Sequence, residues 1–138
     1  MTHPLTPHGP GFRFVDRFVP TDAAGGTGWK HLDPTLPFFA DHFPDRPLMP
    51  AVLLVECAAQ TAGVLWMSGS TEPATPLFLA AVDQFRVTGA VQPGDTLESR
   101  VRLVKELGAL AQFEFEIFAQ DRPVARGRLT MSRQLGGH

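Results

Sequence analysis

Residues 51–67, AVLLVECAAQTAGVLWM, restrict the possible folds of this chain more than any other segment. Pro50 precedes the run, where a missing N–H costs nothing, and neither Gly nor Pro interrupts it before Gly63. The pattern predicts a helix over 51–66 that is apolar on nearly every side, and such a helix is buried all round. It is not a membrane span, which needs about 20 apolar residues with few or no charges, because it carries Glu56 and Gln60. Something must cover it on all sides, and a sheet from the rest of the chain is the economical cover.

The flanking sequence supplies the strands. Phe12–Val19, rich in Phe and Val, reads as one. Ala23–Gly28 reads as a flexible turn, and Trp29–Leu32 as a second, short strand. Residues 34–50 hold five prolines and must be irregular loop with at most one helical turn near Phe38-Phe39. A Ser-Gly-Ser-Thr-Glu-Pro linker follows the helix. Four strand-like runs come next, Pro76–Val87, Thr96–Val104, Ala109–Ala119 and Pro123–Ser132, with turns at Pro93-Gly94-Asp95, Glu106–Gly108 and Gln120–Arg122. Phe113, Phe115 and Ile117 alternate with Glu114 and Glu116, the signature of a half-buried strand. Gly136–His138 reads as a loose tail. The expected class is α+β, an antiparallel meander around one central helix, with 1–138 forming a single domain.

A net charge of −2 offers no footprint for nucleic acid or an anionic membrane. The single cysteine, Cys57, cannot form an internal disulfide, so a cytoplasmic location is expected. The proline-broken N-terminus has no apolar run, and no secretory leader is expected.

Two ionisable residues stand where polar groups should be rare. His42 lies in the proline-rich loop, and Glu56 two turns inside the apolar helix. A buried glutamate needs a reason. Gln60, at i+4, shares its face and can hydrogen-bond the carboxylate, and burial of a lone carboxylate raises its pKa, which suits acid–base work. A loop histidine is more often a surface residue, and a helix-edge glutamate can simply be wetted. Cys57 reads as a packing residue rather than a nucleophile. His3, His8, His31 and His138 lack metal-ligand spacing, so no metal is expected.

Read together, loop and helix say more. His42-Phe-Pro-Asp-Arg-Pro-Leu-Met-Pro50-Ala-Val-Leu-Leu-Val-Glu56-Cys-Ala-Ala-Gln60 resembles the active-site segment of FabZ-type 3-hydroxyacyl-(acyl carrier protein) dehydratases, H-F-P-x-x-P-x-x-P-G-V-x-x-x-E-x-x-x-Q. His42, Phe43, Pro44, Pro47, Pro50, Val52, Glu56 and Gln60 fall in register, with 14 positions from His42 to Glu56. Pro7-His8, Phe14–Arg17, Phe78–Asp83 and Pro93–Asp95 resemble the family's flanking motifs, so the likeness spans nearly the whole chain.

The resemblance implies a hot-dog fold and dehydration of a 3-hydroxyacyl thioester, carried on acyl carrier protein or coenzyme A, to the trans-2-enoyl product. The pathway would be fatty-acid or related acyl or polyketide synthesis. By the same resemblance His42 is the base at C2, and Glu56 assists the departing hydroxyl directly or through a water. The N–H of Ala51 meets the thioester oxygen, and Phe43, Pro50, Val52 and Gln60 complete the site. No cofactor is implied. The family forms homodimers with sites shared between chains, with a trimer of dimers as the higher assembly, and neither nucleic acid nor membrane is a partner. Several residues depart from the pattern. Asp41 and Asp45 stand where the family has glycine, Ala51 replaces a glycine, and Phe85–Ala90 lacks the usual basic residues. A hot-dog thioesterase and a catalytically silent acyl-binding subunit remain alternatives.

Overall fold

The structure, a computed structural model, describes residues 5–68 and 76–134. Helix α2 occupies Ala51–Met67, one residue beyond the expected end, and is followed by Ser68, whose N–H and hydroxyl both donate to the Leu65 carbonyl. Most of the helix is buried as its composition demands, with Leu54, Cys57, Ala58, Ala62 and Leu65 in the core. Its first turn is not. Val52 is 72% exposed, which corrects the expectation of burial all round and leaves the amino end of α2 open.

The cover is a single six-stranded sheet. Its strands are β1 (Arg17–Asp22), β2 (Gly25–His31), β3 (Phe78–Val87), β4 (Thr96–Leu107), β5 (Leu110–Ala119) and β6 (Arg122–Ser132). Every pairing is antiparallel and the order is β1-β2-β4-β5-β6-β3. On β5 the expected alternation holds, with Phe113, Phe115 and Ile117 buried and Glu114 and Glu116 exposed. The four later strands are not one meander. Only β4, β5 and β6 follow that path, while β3 crosses to pair with β6 at the far edge and β4 pairs with β2. Strand hydrophobicity alone does not fix such a crossover.

Two local expectations also shift. Of the expected strand Phe12–Val19 only Arg17–Val19 is strand: Pro10–Phe12 is a short 3-10 turn and β1 begins at Arg17. Phe14 and Val15 are buried, but the Phe14 N–H is taken by the Gln60 side chain instead of a neighbouring strand. Of the expected turn Ala23–Gly28, only Ala23 and Ala24 turn. Gly25–Gly28 lie within β2, where a side chain at Gly26 or Gly28 would collide with its neighbours. A Cβ on Gly26 would fall 2.3 Å from the Phe18 ring, and one on Gly28 2.6 Å from Thr61 Oγ1 of α2. Absent side chains thus let the sheet close on the helix.

The proline-rich stretch behaves as expected, with one short helix, α1, at Pro37–Asp41. Apart from Ser68, the expected 68–73 linker lies outside the described residues, as does the expected tail at 136–138. Among the described residues, no helix is long and apolar enough to cross a membrane.

Candidate active site

The loop between α1 and α2 holds His42 through main-chain bonds. The His42 N–H donates to the Phe38 carbonyl at 3.1 Å, and the His42 carbonyl accepts from the Leu48 N–H at 2.7 Å. Phe43 and Arg46 exchange main-chain bonds, and the buried Met49 donates its N–H to the Val91 carbonyl at 2.9 Å. The loop is therefore pinned to the segment that leads into β4. His42 Nδ1 lies 3.1 Å from the Leu48 carbonyl oxygen. A carbonyl only accepts, so the contact selects the tautomer with hydrogen on Nδ1 and leaves the Nε2 lone pair free. Phe43 stacks on the imidazole, with ring centroids 4.3 Å apart.

Pro50 caps α2, and Ala51 and Val52 form its exposed first turn. The first N–H groups of a helix have no partner within it and carry partial positive charge. An acyl oxygen placed there would meet the right sign of charge.

Glu56 has the Gln60 partner its i+4 spacing predicts, but it is not fully buried; its side chain is 26% exposed. Gln60 organises its surroundings. Gln60 Oε1 accepts the Phe14 N–H at 2.8 Å, which fixes the amide orientation, and Nε2 then donates to the Phe12 carbonyl and to Glu56 Oε2, both at 2.9 Å. Glu56 borders a cleft of about 240 Å³ whose walls include Phe12, Leu77, Leu79 and Met131. His8 joins them, its Nε2 3.6 Å from Glu56 Oε2.

Glu56 and Gln60 thus meet in the cleft, whereas His42, Phe43, Pro50, Ala51 and Val52 are not among its lining residues. Among the described residues, no hydrogen bond or ion pair joins His42 to Glu56. His8 is the residue the sequence reading missed. Its only signal was the Pro7-His8 pair in the opening motif, and nothing in its spacing announced a neighbour 48 residues away. Cys57 is fully buried, and burial pushes its thiol well above the usual range, so it is no nucleophile.

The charge pattern also differs from simple expectation. Arg86 faces away from the loop, in a broad basin on the outer face of the sheet with Arg100, Arg126 and Arg128. Thr88, Gly89 and Ala90 carry no charge, but β6 brings Arg122 to them. Its guanidinium donates to the Ala90 carbonyl at 3.0 Å and lies 3.4 Å from Asp95.

One sheet wrapped around one helix is the hot-dog architecture, and known structures bear this out. The fold matches the dehydratase heterocomplex ApeI:P from Xenorhabdus doucetiae with TM-score 0.80 at 18% identity, over 95% of this chain and 89% of that one. It also matches a hypothetical thioesterase with coenzyme A from Streptococcus pneumoniae TIGR4, with TM-score 0.64 at 12% identity, over 86% of each chain. Sequence goes further than fold. Residues 6–128 match the model of the FabA-like domain. The chain is 33% identical over 124 residues to the 3-hydroxyacyl-[acyl-carrier-protein] dehydratase FabZ of Syntrophobacter fumaroxidans, covering 89% of this chain and 84% of that protein. The chain belongs to the FabA-like domain family.

Proposed function

We propose that this chain is a 3-hydroxyacyl thioester dehydratase, a hydro-lyase of acyl-chain synthesis acting on substrates carried by acyl carrier protein or coenzyme A. The observation that carries the reading is the Nδ1 contact of His42 with the Leu48 carbonyl, in a loop that bears the family's motif. It leaves Nε2 as the base and stabilises the imidazolium once Nε2 has taken the C2 proton. The C2–H electron pair becomes the C2=C3 double bond. The C3 hydroxyl leaves as water, with its proton delivered at Glu56 directly or through a bound water. Proton loss from His42 and uptake at Glu56 then restore the site through solvent. The Ala51 N–H, at the positive end of α2, faces the oxyanion that develops on the thioester. Pro50, Val52 and Phe43 bound the reacting end, and Gln60 holds the carboxylate.

His42 and Glu56 come from different chains in this reading, and the working unit is a homodimer. Strand β3 supports it: a ten-residue edge strand with Leu79 and Val82 exposed is a template for pairing with a second copy. Pairing would extend the sheet into the second copy. The described residues act in this scheme as one domain, at work in the cytoplasm.

The test is product analysis. Purified protein incubated with 3-hydroxyacyl thioesters should yield enoyl thioester, and His42→Ala and Glu56→Ala should each abolish it. Free acid in place of enoyl product would instead identify a thioesterase.

A further inference from the structure

The geometry points to His8 as a positioning residue that, with Gln60, engages Oε2 of Glu56 and leaves Oε1 to meet the substrate hydroxyl. This rests on the dehydratase reading above and extends it to a residue outside the loop–helix motif. Gln60 cannot do the whole task, since one of its N–H groups is committed to the Phe12 carbonyl and only the other reaches Oε2. A carboxylate held by one donor at one oxygen can still swing about its terminal torsion, and a second donor on the same oxygen opposes that. His8 Nε2, 3.6 Å from Oε2, stands where that donor is needed. The separation is long for a hydrogen bond, as catalytic contacts often are before substrate closes the site.

Among the described residues the ring has no other polar partner. His8 Nδ1 is buried without a partner among the described residues, and the tautomer with hydrogen on Nε2 turns its one N–H to Glu56. The main chain of His8 is fastened by the Arg13 guanidinium, whose Nε donates to its carbonyl at 2.6 Å, and the Phe12 ring lies 6.0 Å from the imidazole. Among the described residues lining the cleft, only His8 and Glu56 are ionisable. Glu56 Oε1 has no hydrogen-bond partner among the described residues. The placement assigns the two oxygens different tasks: Oε2 anchors, Oε1 reacts.

Two measurements test this. In steady-state dehydration of a 3-hydroxyacyl thioester, His8→Ala should lower kcat about tenfold with KM within about twofold, because a misplaced catalytic group slows chemistry more than binding. His8→Gln, whose amide can again donate toward Oε2, should recover most of the loss, with melting temperatures confirming that both variants fold. Unchanged kcat in His8→Ala, a loss carried by KM, or a Gln variant as poor as Ala would each overturn the assignment. The second measurement needs no substrate. NMR ring signals of His8 should move in Glu56→Ala, while those of His31, whose Nδ1 lies 3.3 Å from Thr96 Oγ1, stay in place. A His8 signal that ignores the loss of Glu56 refutes the pairing, whatever the assay shows. An absence of enoyl product from wild type would instead sink the dehydratase reading alone.

Discussion

Gln60 ties the N-terminal segment to the helix, and its removal should cost more than a typical core substitution of its size. Its side chain receives the Phe14 N–H and donates to the Phe12 carbonyl and to Glu56, and both Gln60 and Phe14 are buried. In Gln60→Ala the Phe14 N–H loses its acceptor in a place water does not reach, which costs about 1–3 kcal/mol. The bond to Glu56 is charge-assisted but partly wetted, and is worth about 0.5–1 kcal/mol there. The void adds a similar amount. The expected total is about 3 kcal/mol, roughly a hundredfold or more in the folding equilibrium and about 10 °C in Tm. Urea unfolding at one fixed protein concentration is the assay, with Gln60→Met as companion. Methionine refills the volume without restoring a hydrogen bond, so it should be nearly as unstable as alanine. A loss below about 1 kcal/mol in both variants, with the urea slope unchanged, would refute the view that these bonds hold the segment on α2. A methionine variant near wild type would show that packing matters and the bonds do not.

Two further outcomes follow from the packing. Gly28→Val should destabilise by about 2 kcal/mol or more, since its Cβ falls 2.6 Å from Thr61 Oγ1 and 3.0 Å from Cγ2, and Thr61→Ala in the same chain should relieve over half of that loss in thermal melts. Burial raises the Cys57 thiol above its ordinary 9.0, so above about pH 9 the unfolded chain binds fewer protons than the folded one; stability should fall by about 1.4 kcal/mol per pH unit more steeply in wild type than in Cys57→Ala, and equal slopes in urea titrations at pH 8 and 10 would contradict this.

The helix, its loop and all four later strands were legible because each is a local pattern. An unbroken apolar run, a density of prolines and a two-residue alternation all announce themselves within a short window. What was not legible depended on partners distant in sequence. Gly25–Gly28 looked like a turn until Phe18 and Thr61 were found pressed against two of the glycines. Phe14 looked like a strand residue because its hydrophobicity is real, yet its N–H bonds to a helix side chain 46 positions away. The place of β3 beside β6 is a matter of register across the sheet, and its own sequence does not state it. At the site, the family motif pointed to His42, Glu56 and Gln60 as candidates. The i+4 spacing also announced the Gln60 bond to Glu56, but neither the partial exposure of the carboxylate nor His8 beside it. Arg122 shows the same limit, as charge absent from Thr88–Ala90 is supplied by another strand.

The central claim is that one catalytic site is built from His42 of one chain and Glu56 of another, and subunit mixing tests it most directly. His42→Ala and Glu56→Ala proteins, each inactive alone, would be unfolded, mixed and refolded together, with differently tagged chains used to isolate the heterodimer. A twofold dimer has two equivalent sites, and the heterodimer would hold one with both groups and one with neither. The account predicts that enoyl formation returns to about half the wild-type rate per heterodimer. An isolated heterodimer without activity would place both groups in one chain and contradict it.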